Sequence, residues 1–328
     1  MIISRELAKP GAKEVALSQG KTSGGPVAAE SFWVEAFSIK EGVPPYVFRE
    51  SLIFTLIAAG VFVLDKLTKP DLGVDVAPYE VAGVALGLLL VLRTNAGYDR
   101  WWEGRRFWGG IVNQTRTLAI TALAHGPDDA EWRGRVVGLI TAFAHVSRRS
   151  LRGERTLPEV AALLGDSEAE LIASAHHMPN AVSLRIALML REMSEQSRMD
   201  RFAFLNAEQS RSQLIDNIGG CEKILKTPLP KVYAINIRQF IFLFLVTLPF
   251  GLLPKIGWLT PIAVFLVAYP ILALDQIGVE LQNPFSTRNM GHLPLDAICD
   301  GIEADLKALQ ADRTQLDGLR ADKPRTER

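Results

Sequence analysis

Arg93-Thr94-Asn95-Ala96-Gly97-Tyr98-Asp99-Arg100-Trp101-Trp102-Glu103-Gly104-Arg105-Arg106-Phe107-Trp108-Gly109-Gly110 follows directly on a nearly unbroken apolar run, Val81 to Leu92. Within a few residues the chain passes from leucine and valine to four arginines and three tryptophans. A soluble core helix has no physical reason to make that switch. A helix leaving a bilayer does, because indole rings settle at the membrane interface and arginines gather on the cytoplasmic side. The junction predicts a membrane helix that runs on into water.

Three further apolar segments lie around it. Ser51 to Leu64 precedes the junction helix, which itself spans Val76 to Leu92 with Glu80 near its start. Ile241 to Leu253 follows a semi-polar lead-in containing Arg238, and Ile256 to Leu274 comes last. A lone spanning helix takes about 20 apolar residues. Only the fourth segment reaches that comfortably; the others extend to it if flanking polar side chains snorkel. All four are expected to span, the third and fourth as a tight hairpin across Pro254-Lys255. The loop Lys66 to Ala77 carries little charge and the hairpin turn only Lys255, whereas Lys40, Arg49 and the arginine-rich stretch from Arg93 to Lys231 lie on the other side. That asymmetry puts the middle region and both termini in the cytoplasm.

The middle region reads as helical. Tyr98 to Ala124 continues the second segment, and Glu131 to Arg149 keeps Val136, Val137, Leu139, Ile140, Phe143 and Val146 at helical spacing. Pro158 and Pro179 suit helix starts before Glu159 to Ala175 and Ala181 to Met199. Further helices are expected from Phe202 to Leu225 and from Leu295 to Leu319, and no alternating strand pattern occurs. The predicted class is therefore all-α. It divides into a flexible leading segment 1–33, two membrane helices in 34–92, a cytosolic helical region 93–231, two more membrane helices in 232–275, a cytosolic segment and helix in 276–319, and a tail 320–328.

Composition narrows the function classes. Lys plus Arg and Asp plus Glu number 36 each, which gives no footprint for nucleic acid. The chain holds no phosphate-binding glycine loop, no nucleophile elbow and no paired-histidine zinc helix, so it is not read as an enzyme, and no cofactor is expected. His176 and His177 are neighbours, which on a helix point about 100° apart, so a helix-end pair is the better reading than a metal site. Cys221 and Cys299 lack metal spacing and read as reduced thiols. Arg148, Arg149, Arg152 and Arg155 are suited to phosphate, but a solvated face or a subunit contact fits them at least as well.

Val84, Leu88 and Leu92 repeat every four residues along one face of the second segment, beside Gly83 and Gly87. Small residues at that spacing let helices approach closely in lipid. Such a helix can pack around an axis and turn its other face to a pore, although spacing alone favours plain core packing.

Three separated blocks carry a family resemblance. Arg93 to Arg116 (RTNAGYDRWWEGRRFWGGIVNQTR), Thr227 to Tyr233 (TPLPKVY), and Gly278 to Phe285 (GVELQNPF) followed by Leu293 to Cys299 (LPLDAIC) resemble, in order and spacing, the motifs of the bacterial bestrophin-like proteins. The likeness runs from about Val34 to Leu319. It implies a homopentameric ion channel with four membrane helices per subunit, a cytosolic helical domain, and one pore on the fivefold axis. Counted back from Arg100-Trp101-Trp102, the family's three neck rings fall on Val84, Leu88 and Leu92. The family's cytosolic aperture falls on Leu229, before the second proline. Arg100, Trp101 and Trp102 are implied to be structural, at the exit of the pore helix. The implied partners are the chain itself, membrane lipids and permeant small ions, in a bacterial inner membrane.

Two departures from the family stand out. The family's neck favours isoleucine and phenylalanine, whose positive ring edge suits an anion; valine and leucines stand here. An anion such as chloride and a monovalent cation such as sodium both stay open, as does a non-conducting membrane scaffold or sensor. Where eukaryotic members carry an acidic calcium-binding run, this chain has Ser286 to Gly291 with Arg288 inside it, leaving Glu280 and Asn283 as counterparts. Calcium takes several oxygen ligands, usually carboxylates, so no calcium clasp is expected.

Overall fold

A computed structural model describes residues 45–68, 72–196 and 198–321. The expected leading segment 1–33 and the tail after Ala321 lie outside the described residues. In chain order the helices are α1 (Pro45–Leu67), α2 (Ala77–His125), α3 (Ala130–Leu151), α4 (Pro158–Leu164), α5 (Asp166–Ser174), α6 (Met178–Glu195), α7 (Arg201–Lys226), α8 (Lys231–Ile256), α9 (Thr260–Glu280) and α10 (Leu295–Ala321). Among the described residues no strand occurs.

Helix α2 is the spine. Its 49 residues run without a break through the apolar segment and the arginine-tryptophan junction, a length of roughly 70 Å at 1.5 Å per residue. Pro78 sits in its first turn, where a missing N–H costs nothing, and no proline follows it within the helix. The spine serves two cores. Near its start Leu86 and Leu90 pack with Ala58 of α1, Ile241 and Leu245 of α8, and Val264 of α9. Further on, Trp108, Ile111 and Leu118 pack with Ile140 and Phe143 of α3, Leu190 of α6, Leu214 of α7 and Leu306 of α10. Length and apolarity make three stretches able to cross a membrane: Val47–Leu67, Ala77–His125 and Lys231–Glu280.

The last of those stretches folds back on itself. Arg238 Nε of α8 lies 3.0 Å from Asp275 Oδ2 of α9, so the two helices run antiparallel. The corner is at Gly257–Leu259, not at Pro254-Lys255 as the sequence suggested. Gly257 has φ of 53°, a conformation that glycine adopts without steric cost. Pro254 lies inside α8. A proline there removes the hydrogen bond to the carbonyl four residues earlier. That carbonyl, Phe250, accepts instead from the Val74 amide at 2.9 Å, so the segment before α2 satisfies what the proline left open.

Glu159 to Ala175, expected as one helix, is two. Gly165 takes φ of 93° and ends α4, and α5 starts at once. Caps fix the other starts. Asp129 accepts from the amides of Glu131 and Trp132 at α3, and Asp200 from those of Phe202 and Ala203 at α7. His177 caps α6, accepting from the Asn180 amide through Nδ1, while its Nε2 meets Glu222 Oε1 at 2.5 Å.

The arginine cluster is met by carboxylates and carbonyls of the same chain. Arg148 is only 4% exposed, and its two terminal nitrogens donate to Glu159 at 2.6 Å and Asp296 at 2.7 Å. Arg149 donates to Glu154 and Glu159, Arg152 to Asp296, and Arg155 to the carbonyls of Ala173 and Ala175 at the end of α5. These guanidiniums clamp α3 to α4, α5 and the start of α10. Burial alone would raise the Glu159 carboxyl, but hydrogen bonds from Arg149 and Arg148 outweigh it and hold it at about 2.

Candidate functional site

Residues on an α-helix advance about 100° each, so steps of three and four keep to one face. Along α2 the buried residues Leu86, Leu90, Arg93, Gly97, Gly104, Trp108, Ile111, Thr115, Leu118 and Ala122 follow those steps, with one double step of seven between Gly97 and Gly104. One line of the helix therefore faces the rest of the chain over about ten turns. The opposite line carries Val84, Leu88 and Leu92, which are 77%, 61% and 52% exposed. Among the described residues these apolar side chains stand mostly uncovered. Of the flanking glycines, Gly83 lets the Phe244 ring of α8 come to 3.4 Å of where a Cβ would stand, while Gly87 has open space beside it.

The exposed line does not stop at Leu92. The same spacing leads to Asn95, Asp99, Trp102 and Arg106, all exposed. The apolar stripe thus runs without turning into a polar and charged one. This extension is legible in the sequence, since Leu88, Asn95 and Trp102, like Leu92, Asp99 and Arg106, stand seven residues apart, which is close to two turns.

Arg100, Trp101 and Trp102 do not act together. Arg100 points away from the exposed line. It donates to the carbonyls of Ile224 and Thr227 at the end of α7 and to Gln282 just past α9. Helix C-termini leave carbonyls without partners and carry partial negative charge, and one guanidinium answers two such ends here. Trp101 donates from Nε1 to the Gly291 carbonyl at 2.7 Å. Trp102 is 49% exposed on the open line and stacks on Tyr98 with centroids 6.5 Å apart. Leu229 is half-buried in the link between α7 and α8, two residues after the Thr227 carbonyl that Arg100 holds.

Close backbone approach locks the junction. A Cβ on Gly97 would stand 3.1 Å from Leu281 Cβ, and one on Gly104 would stand 3.1 Å from Pro284 Cγ and 3.3 Å from the Phe285 ring. Beyond α9 the chain folds on Glu280, whose carboxylate accepts from Gln276 Nε2 at 2.7 Å and from the Met290 amide at 3.0 Å. Asn289 Nδ2 donates to the backbone carbonyls of Glu280 and Asn283 at 3.1 and 2.9 Å. Among the described residues no group of three His, Cys, Asp or Glu side chains is placed to hold a metal ion. Cys221 and Cys299 are buried free thiols; burial pushes both up, Cys299 to about 12.

Over residues 27–308 the chain matches the family described as Bacterial/Fungal Bestrophin protein. It is 32% identical to the Voltage-dependent anion channel-forming protein alr2987 of Nostoc sp., over 86% of this chain and 92% of that relative. It is 31% identical to the Voltage-dependent anion channel-forming protein YneE of Escherichia coli K12, over 79% of this chain and 84% of that relative. A crystal structure of a bacterial bestrophin homologue from Klebsiella pneumoniae shares the fold, with a TM-score of 0.74 and 24% identity over 81% of this chain and 98% of that one.

Proposed function

The chain belongs to the bacterial and fungal bestrophin family, and on that premise we propose that it is a passive ion channel rather than an enzyme. In this reading five copies surround one pore in the bacterial inner membrane, with both termini in the cytoplasm. The helices α1 and α8, α9 and the first half of α2 cross the bilayer, and α3 to α7 with α10 form the cytosolic part. Val84, Leu88 and Leu92 make the neck, Leu229 the cytosolic aperture, and the permeant ion is an anion such as chloride, in keeping with the names of the relatives.

One observation carries the reading. Val84, Leu88 and Leu92 stand exposed on a line of α2 that continues straight into Asn95, Asp99 and Arg106. A stripe that only faced lipid would have no reason to keep the same direction after the helix enters water. A pore helix does, because the axis that the neck surrounds is also the axis of the aqueous vestibule beneath it. The neck then works by dewetting, passing ions that shed part of their hydration without a charged filter.

Asp99 on the same line favours a second reading, a sodium-conducting channel of the same architecture. The arginine cluster gives no support to a partner-binding scaffold, since its charges are met within the chain. The Asn289 amide on the Glu280 and Asn283 carbonyls supports a loop that holds its shape without calcium. Recording purified protein in planar bilayers across a sodium chloride gradient tests the proposal. A reversal potential displaced toward the chloride equilibrium value supports it, one displaced toward sodium supports the second reading, and a silent bilayer contradicts both.

A further inference from the structure

The neck carries no charge, so the sign of the ion it passes must be biased by the nearest charges that share its line. On α2 those are Asp99 and Arg106, both exposed, while the other charges at the junction are occupied or turned aside. Arg93 is buried against Asp275, Arg100 is bound to carbonyls on another face, and Glu103 meets Lys223 Nζ at 3.6 Å. Arg105 stands about a quarter-turn off the line.

Resting on the pore reading above, we infer that Asp99 and Arg106 form two opposed charge rings beneath the neck, and that Asp99 lowers the share of anions among the ions reaching Leu92. Distance decides between the two. Seven residues of helix put Asp99 about 10 Å below Leu92, and fourteen put Arg106 about 21 Å below it. The screening length is about 10 Å at 0.1 M salt. Five carboxylates act on the mouth of the neck at one such length. Five guanidiniums act at two, where their field is largely lost, and they serve instead to concentrate anions in the wider space below. Arg106 therefore draws anions toward the pore, and Asp99 holds down their share at the constriction. The two rings thus move the chloride-to-sodium ratio in opposite directions, Asp99 down and Arg106 up, and the nearer ring has the larger effect.

Asp99→Asn and Arg106→Gln, each in the full-length channel, test this through reversal potentials in a sodium chloride gradient. Asp99→Asn is expected to raise the chloride-to-sodium permeability ratio about sevenfold, because a potential change of about one kT alters the local chloride and sodium concentrations about 2.7-fold each, in opposite directions. Arg106→Gln is expected to lower the ratio by a smaller factor. Both effects should shrink in 1 M salt, where screening reaches only about 3 Å. As a control for assembly, Asp99→Cys labelled after reconstitution with a cationic thiol reagent should move the ratio further toward chloride, and an anionic reagent should return it toward wild type. Currents whose ratio is unchanged by Asp99→Asn and by either label overturn the inference while leaving the pore intact. A shift of Asp99→Asn toward sodium overturns it as well. A wild-type protein that carries no current removes the pore reading itself.

Discussion

Arg93 and Asp275 form an ion pair across 182 residues of sequence, with side chains only 1% and 10% exposed. It joins the spine helix α2 to α9 at the level where the apolar segments end. Asp275 also receives Arg238 of α8 at 3.0 Å, so one carboxylate gathers three helices. Taking charges out of water is costly, and a pair of this kind repays it only while both members are present. Among the described residues Arg93 Nε has no hydrogen-bond partner.

Removing one member should therefore cost more than removing the interaction. Asp275→Asn is expected to destabilise the protein by about 3 kcal/mol, and Arg93→Met with Asp275→Leu together by clearly less. Thermal unfolding in detergent micelles checks this; equal losses for the single and the double change would show that the pair is not the source.

Gly104 is a contact point between α2 and the Asn-Pro-Phe turn. A methyl group there would press on Pro284 and Phe285, so Gly104→Ala should cost about 1–2 kcal/mol. By contrast a Cβ on Gly87 has no atom of the described residues within 4 Å. Any loss of stability for Gly87→Ala confined to the assembled particle, seen by comparing micelles of different subunit content, would locate a neighbour at that face.

Acid should loosen the cytosolic helices. Glu159 is held at about 2 in the folded chain, below the ordinary carboxylate value near 4.3. A depressed folded value gives stability that is fully present above the unfolded value and is lost as pH falls toward the folded one. The loss should fall between about pH 4.5 and pH 2 and be on the order of 3 kcal/mol. Glu159→Gln should be less stable than wild type at neutral pH and should lose less on acidification. A wild-type melting temperature flat across that window would argue against the clamp.

Leu88→Ala should widen the neck. Single-channel conductance is expected to rise, or selectivity to relax, with little change in folding, because Leu88 is 61% exposed within its own subunit. Recordings matching wild type in both respects would remove Leu88 from the constriction.

Much of this fold is legible in the sequence because its signals are local. The apolar run ending in arginines and tryptophans marks the spine, and helical spacing places α3, α6, α7 and α10 to within a few residues. What is missed depends on distant partners. Pro254 reads as a corner because nothing nearby tells that Val74 takes the carbonyl it frees. Arg148 reads as surface because Asp296 lies 148 residues away. Gly165 breaks a helix at one residue, where a glycine in a helical run gives no warning of a positive φ. The candidate site divides the same way. The stripe Val84, Leu88 and Leu92 is visible as period, but its exposure, and the turning aside of Arg100 from Trp102, appear only once the buried line of α2 is known.

If the open line of α2 faces a pore in the assembled protein, its residues are reached there by ions and by charged reagents. Cysteine accessibility tests this directly, because Cys221 and Cys299 are buried and poorly ionised. Leu88→Cys and Leu86→Cys are to be recorded in bilayers before and after a bulky, charged thiol reagent. Current through Leu88→Cys should be blocked, and current through Leu86→Cys, on the buried line, should be unaffected. Current through Leu88→Cys that survives full labelling would contradict a pore-facing line.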